Sequence, residues 1–166
     1  APLSKAIFTT QNMRGFTLIE LMVTLSILAI ITLIATPSLA SALENQKLKQ
    51  AAIDVKVALQ DLRSQSVLTN SERALCIATP AESVAECGKS LKNYAQLNDN
   101  QKQQRIDALH LDKKVYVKQG SSTEFVFTSQ GYTTQQTLTL CAGERSYAIT
   151  VYMPGYVDVS QAGACT

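Results

Sequence analysis

The apolar positions of this chain follow three successive patterns. From Phe16 to Ala35 the sequence reads FTLIELMVTLSILAIITLIA, apolar on every face, with Glu20 as the one charge. Twenty residues of helix rise about 30 Å, the thickness of a bilayer's hydrocarbon core, so this run predicts a transmembrane helix. A carboxylate there costs several kcal/mol unless it is paired or protonated. Glu20 therefore requires either a partner or a place at the membrane interface. Beyond Pro37 the period changes. Leu48, Ala52, Val55, Leu59 and Leu62 recur at helical spacing, and Lys47, Lys49, Lys56, Asp61 and Arg63 lie off that stripe. The pattern predicts an amphipathic helix over 43–69 whose stripe packs on a core, with the basic residues on a solvated face.

The third pattern is that of strands. Arg73–Ala78 is a short apolar run stopped by Thr79-Pro80. Lys114–Gln119, Glu124–Thr128, Gln136–Cys141, Ser146–Met153 and Tyr156–Ser160 are β-rich, and turn residues at Gly120, Gln130-Gly131, Ala142-Gly143 and Pro154-Gly155 separate them. The polar, Gln/Asn-rich stretch 81–112 reads as a loop-rich insertion, with room for a helical turn or two after Asp99. A helix followed by consecutive short strands predicts an α+β fold, a long N-terminal helix packed on an antiparallel β-sheet head.

Charge and cysteine content refine this picture. The formal charge is +2, but Lys5 and Arg14 precede Phe16, and without them 13 basic side chains face 13 acidic ones. Net charge therefore makes no case for nucleic-acid binding. The four cysteines are Cys76, Cys87, Cys141 and Cys165. Following an export-type N-terminus, an even number reads as two disulfides. A zinc site is the competing reading, weakened by the lack of any Cys-x-x-Cys pair and by a single histidine, His110. Of the three connectivities, the sequence-local pairs Cys76–Cys87 and Cys141–Cys165 are favoured. Each closes a loop worth about 3 kcal/mol in the chain-entropy model.

No catalytic constellation is present. His110 is the sole candidate imidazole base, there is no glycine-rich phosphate loop, and the acids lack the spacing of a calcium loop. The chain reads as a non-enzyme with no cofactor and no metal.

Residues 1–14 are polar and mildly basic, and the small residue at the junction, Gly15, precedes the apolar run. In an ordinary signal peptide the small-residue cleavage site follows the run. Arg14-Gly15-Phe16-Thr17-Leu18-Ile19-Glu20-Leu21 resembles the class III signal of type IV pilins and type II secretion pseudopilins. The resemblance implies a prepilin leader over 1–15, cleavage between Gly15 and Phe16 by a prepilin peptidase, and methylation of the new Phe16 amine. It also implies an assembly role for Glu20, meeting the amine of a neighbouring subunit. Pro37, twenty-one residues after Phe16, matches a proline that many pilins carry. The implied domains are a transmembrane helix over 16–36, its amphipathic continuation over 37–72 and a β-rich pilin head over 73–166.

Leu62-Arg63-Ser64-Gln65-Ser66, then Leu75-Cys76 and Cys87-Gly88, then Phe125-Val126-Phe127 with Gly131 and a last hairpin ending at Cys165, resemble the GspH/FimT group of minor pilins, of the FimT/FimU kind. That resemblance implies a structural subunit that helps initiate or cap a pilus. Its implied partners are other minor and major pilins, the prepilin peptidase and an inner-membrane assembly platform. Its implied location is the bacterial inner membrane, with the head in the periplasm, and then the filament or its tip. A minor pseudopilin of a type II secretion system is one alternative, and the two cysteine pairs favour the pilus. A DNA-binding pilin is the other. Relatives that bind DNA carry Gly-Arg-x-Arg in the final hairpin, where this chain has Gly155-Tyr156-Val157-Asp158. Lys113, Lys114 and Lys118 are then the remaining candidates for a phosphate-binding surface.

Overall fold

The computed structural model describes residues 15–78 and 87–165, so the leader up to Arg14 lies outside the described residues, as does the beginning of the 81–112 stretch. The chain divides into two units, Ala1–Leu39 and Ala40–Thr166. Helix α1 runs Leu18–Leu68 and includes Pro37.

In the first unit α1 is long and apolar enough to cross a membrane, and none of that stretch is buried in the protein. The hydroxyls of Thr24, Ser26 and Thr32 donate back to the carbonyls of Leu21, Met22 and Ala29 at 2.8–2.9 Å. These polar side chains are thus satisfied within the helix, as a lipid environment requires.

In the second unit α1 packs its stripe into the head. Leu48, Ala52, Val55, Leu59 and Leu62 are all buried, as the 3.6-residue period predicts. The helix stops where Asn70 turns left-handed at φ 47°. The N–H of Asn70 reaches Val67 O at 3.2 Å and that of Ser71 reaches Ser66 O at 3.1 Å, a C-terminal cap that satisfies the last carbonyls.

Among the described residues seven strands follow: β1 (Arg73–Ala78), β2 (Ile106–His110), β3 (Tyr116–Val117), β4 (Glu124–Phe127), β5 (Gln136–Ala142), β6 (Arg145–Val151) and β7 (Val157–Ala162). They form a three-stranded sheet ordered β2-β1-β4 and a four-stranded sheet ordered β3-β5-β6-β7. The second sheet is antiparallel throughout. In the first, β1 is antiparallel to β4 but parallel to β2, pairing Ala74 with Ile106 through to Ala78 with His110. The long helix on an antiparallel head is as expected, and this one parallel pair is added to it. The pair is possible because the chain crosses back from the end of β1 to its start, and a parallel connection needs a dozen or more residues.

The same crossover contains the helical turns expected after Asp99 and, in strand β2, corrects the reading of the rest of 81–112 as loop. Its described part carries a 3₁₀ turn at Tyr94–Gln96, helix α2 (Asp99–Arg105) and β2. A reciprocal cap starts α2: Asn98 Oδ1 accepts from Gln101 N–H at 2.8 Å, and Gln101 Oε1 accepts from Asn98 N–H at 3.0 Å.

One core joins α1 to both sheets. Phe125 and Phe127 from β4, Leu138 and Leu140 from β5, and Ile149 and Val151 from β6 meet the α1 stripe. Each such side chain contributes about 1.5–3 kcal/mol on burial.

Candidate assembly site and head surface

The N-terminal site is built by the first turn of α1. Thr17 immediately precedes the helix, and its Oγ1 accepts the backbone N–H of Glu20 at 3.3 Å. Its carbonyl accepts Leu21 N–H at 3.1 Å. Thr17 is thus the N-cap, which places Glu20 three residues on, in the first turn, beside the positive end of the helix dipole. Phe16 is 75 % exposed, and the apolar side chains that follow it are exposed as well. The helix therefore presents an uncovered apolar surface with one carboxylate near its start.

The other residues singled out from the sequence lie in the head. Cys76 and Cys87 are disulfide-bonded, with Cα atoms 6.0 Å apart. Cys141 and Cys165 form the second disulfide at the same Cα separation. The first ties β1 to the crossover that leads to β2; the second ties β5 to the segment that follows β7.

Lys113, Lys114 and Lys118 do not form a set of three free amines. Lys114 Nζ lies 3.6 Å from Glu44 Oε1 of α1. Next to it, Lys47 Nζ lies 3.2 Å from Asp112 Oδ2. Asp112 Oδ1 also accepts Lys114 N–H at 3.0 Å. That backbone hydrogen bond, followed by the Lys47 side chain, holds the Asp112 carboxyl below its ordinary pKa. These exposed pairs tie α1 to the 112–114 turn, and they add negative charge beside the lysines.

Sequence reading missed a contact at the far end of the head. Arg63 donates from Nε to Gly131 O at 3.1 Å and fills the space against Gly155. It thereby joins α1 to two separate turns. Around it Tyr132, Tyr152, Met153 and Tyr156 are exposed, and the Tyr152 and Tyr156 rings stack with centroids 5.9 Å apart. Arg63 is recognisable in the sequence only as an off-stripe charge, because both of its partners are remote in the chain.

Among the described residues no group of His, Cys, Asp and Glu gathers as a metal site. The deciding observation comes from comparison with known families. The model of the type II transport protein GspH matches residues 51–155, well over half of the chain. The chain belongs to the GspH family. The prokaryotic N-terminal methylation motif matches residues 10–36, ahead of the GspH match. GspH-family members are pilin-like structural subunits, and the apolar start of α1 is the membrane anchor. Two crystal structures of the Pseudomonas aeruginosa type IV minor pilin FimU are similar in fold to part of this chain. The P21 form gives a TM-score of 0.47 at 15% identity, covering 74% of this chain and 98% of that one. The P65 form gives 0.46 at 14% identity, covering 72% and 100%. Comparison with curated proteins finds no match.

Proposed function

We propose that the chain is a minor type IV pilin, a structural subunit that helps initiate or cap a pilus. The observation that carries this reading is one chain that joins the methylation motif to a GspH head, with Glu20 in the first turn of its apolar helix.

On this reading residues 1–15 are the leader, 16–36 the transmembrane helix, 37–72 its periplasmic continuation and 73–166 the head. The precursor sits in the inner membrane with its basic N-terminus in the cytoplasm. A prepilin peptidase cuts between Gly15 and Phe16, and the Phe16 amine is methylated. Glu20 then pairs with the amine of a neighbouring subunit. In a low-dielectric filament core that attraction is strong enough to offset desolvation and to select one axial stagger. The assembly platform extracts the subunit, and the head meets other minor and major pilins at the start or tip of the filament.

The second reading is a minor pseudopilin of a type II secretion system, which the description of the matched family favours. A deletion strain separates the two. The pilus reading expects loss of surface pili and twitching with secretion intact; lost secretion with normal twitching would overturn it.

A further inference from the structure

The buried stripe of α1 uses only one side of the helix. At about 100° per residue, the opposite side, about 180° from Val55, forms a second seam. Leu43, Gln50, Val57 and Ser64 occupy one row of it, and Gln46, Ile53, Gln60 and Val67 the other. All eight are exposed, with Ile53 at 42 % and Val57 at 57 %. None is charged, although charged residues border the seam on both sides. The alternating steps of four and three are those of the two core positions in a heptad repeat.

The flanking charges select an occupant. One flank carries Lys49, Lys56 and Arg63 at successive heptads, and the other carries Lys47, Asp54 and Asp61. In a parallel, in-register pair of helices each flank residue faces the opposite flank of its partner, five residues on. Lys49 then faces Asp54 of the second copy, and Lys56 faces its Asp61. Twofold symmetry repeats both pairs. An antiparallel pair sets basic flank against basic flank, and a shift of one heptad sets Lys49 against Lys47. Lys49 and Lys56 have no ion-pair partner among the described residues, so both are available.

We propose that α1 pairs with α1 of a second copy of this chain, parallel and in register, through this seam. Half of the seam positions are apolar, so the contact is weak between free molecules. Anchoring both copies in one membrane by the same end of the same helix raises their effective concentration and imposes the parallel direction. Gln50 already donates to Asp54 Oδ1 at 2.8 Å, but the amides of Gln46 and Gln60 both donate and accept, so like residues can pair across the symmetry axis and hold the register at a cost in stability. The pairing goes beyond the pilin reading and uses neither Glu20 nor leader cleavage.

Cysteine cross-linking of the full chain in membranes tests this. All four native cysteines are in disulfides, so one added thiol reports alone. Under mild oxidation Ile53→Cys should give covalent dimer about tenfold more readily than Gln119→Cys on the exposed head. Co-expressed Ile53→Cys and Gln60→Cys chains should cross-link like to like and not to each other. Lys49→Asp with Lys56→Asp should lower the Ile53→Cys yield about tenfold, and adding Asp54→Lys with Asp61→Lys should restore it. High salt should lower the yield with the native charges in place. Equal yields at Ile53→Cys and Gln119→Cys, a dominant Ile53–Gln60 product, or indifference to charge reversal and salt would each overturn the pairing. Each of those outcomes leaves pilus assembly by the deletion strain to be judged separately.

Discussion

Replacing Gly155 by alanine should loosen the far end of the head by a calculable amount. Gly155 has φ +87°, and an added Cβ would lie 2.4 Å from Arg63 Nε, 2.6 Å from Arg63 Cδ and 2.9 Å from Gly131 O. The left-handed backbone costs an alanine about 1–2 kcal/mol. Arg63 is the end of a flexible side chain and can swing aside, giving up its hydrogen bond to Gly131 O, worth about 1–2 kcal/mol. The Gly131 carbonyl is backbone and has no such freedom. The sum is about 2–4 kcal/mol, which should lower the Tm of the full chain in detergent by roughly 10 °C, followed by circular dichroism. Arg63→Ala alone should cost about 1–2 kcal/mol. The double variant should fall short of additivity, because removing Arg63 also removes part of the clash. A Gly155→Ala protein that melts with the parent, or a strictly additive double variant, would show that Arg63 does not hold the two turns together.

Five further outcomes are expected. Gly15→Ala should leave the precursor uncut on immunoblots, and Glu20→Ala should still enter the membrane yet be missing from sheared filaments; normal recovery there would contradict the Glu20 pairing. Leu59→Ala, at the centre of the buried stripe, should cost about 2–5 kcal/mol in denaturant unfolding. Asp112 has its folded-state pKa depressed, so its contribution is present above the unfolded carboxylate pKa and is lost as pH falls through the folded value. As pH falls through the ordinary carboxylate range and below it, the native chain should lose Tm slightly faster than Asp112→Asn, which has no carboxyl to titrate at this position. Peptide mapping without reduction should recover Cys76 with Cys87 and Cys141 with Cys165, and removing either pair should cost about 2–5 kcal/mol.

The features that could be read from the sequence are the local ones. The apolar run, the α1 stripe and the turns at Gly131, Gly143 and Pro154-Gly155 follow from period and backbone chemistry, which neighbouring residues determine together. Strand β2 was missed because Ile106-Asp107-Ala108-Leu109-His110 shows neither clean alternation nor β-branched richness. It is a strand because β1 supplies its hydrogen bonds. The Lys114–Glu44 and Lys47–Asp112 pairs were missed for a related reason: each joins α1 to a turn far along the chain, and no periodicity reports such a meeting.

The two faces of α1 show the division most clearly. The sequence by itself determines that the helix has a leucine-rich stripe and, opposite it, a second uncharged seam between charged flanks, since helical period places every side chain. It does not determine which face the head covers. Only the tertiary structure decides that, because Phe125, Phe127, Leu138 and Ile149 gather on the Leu48–Leu62 side and exclude water there, while Ile53 and Val57 remain in solvent. Burial is a property of the assembled sheets, and a residue left exposed by its own head is one that a neighbour can still cover.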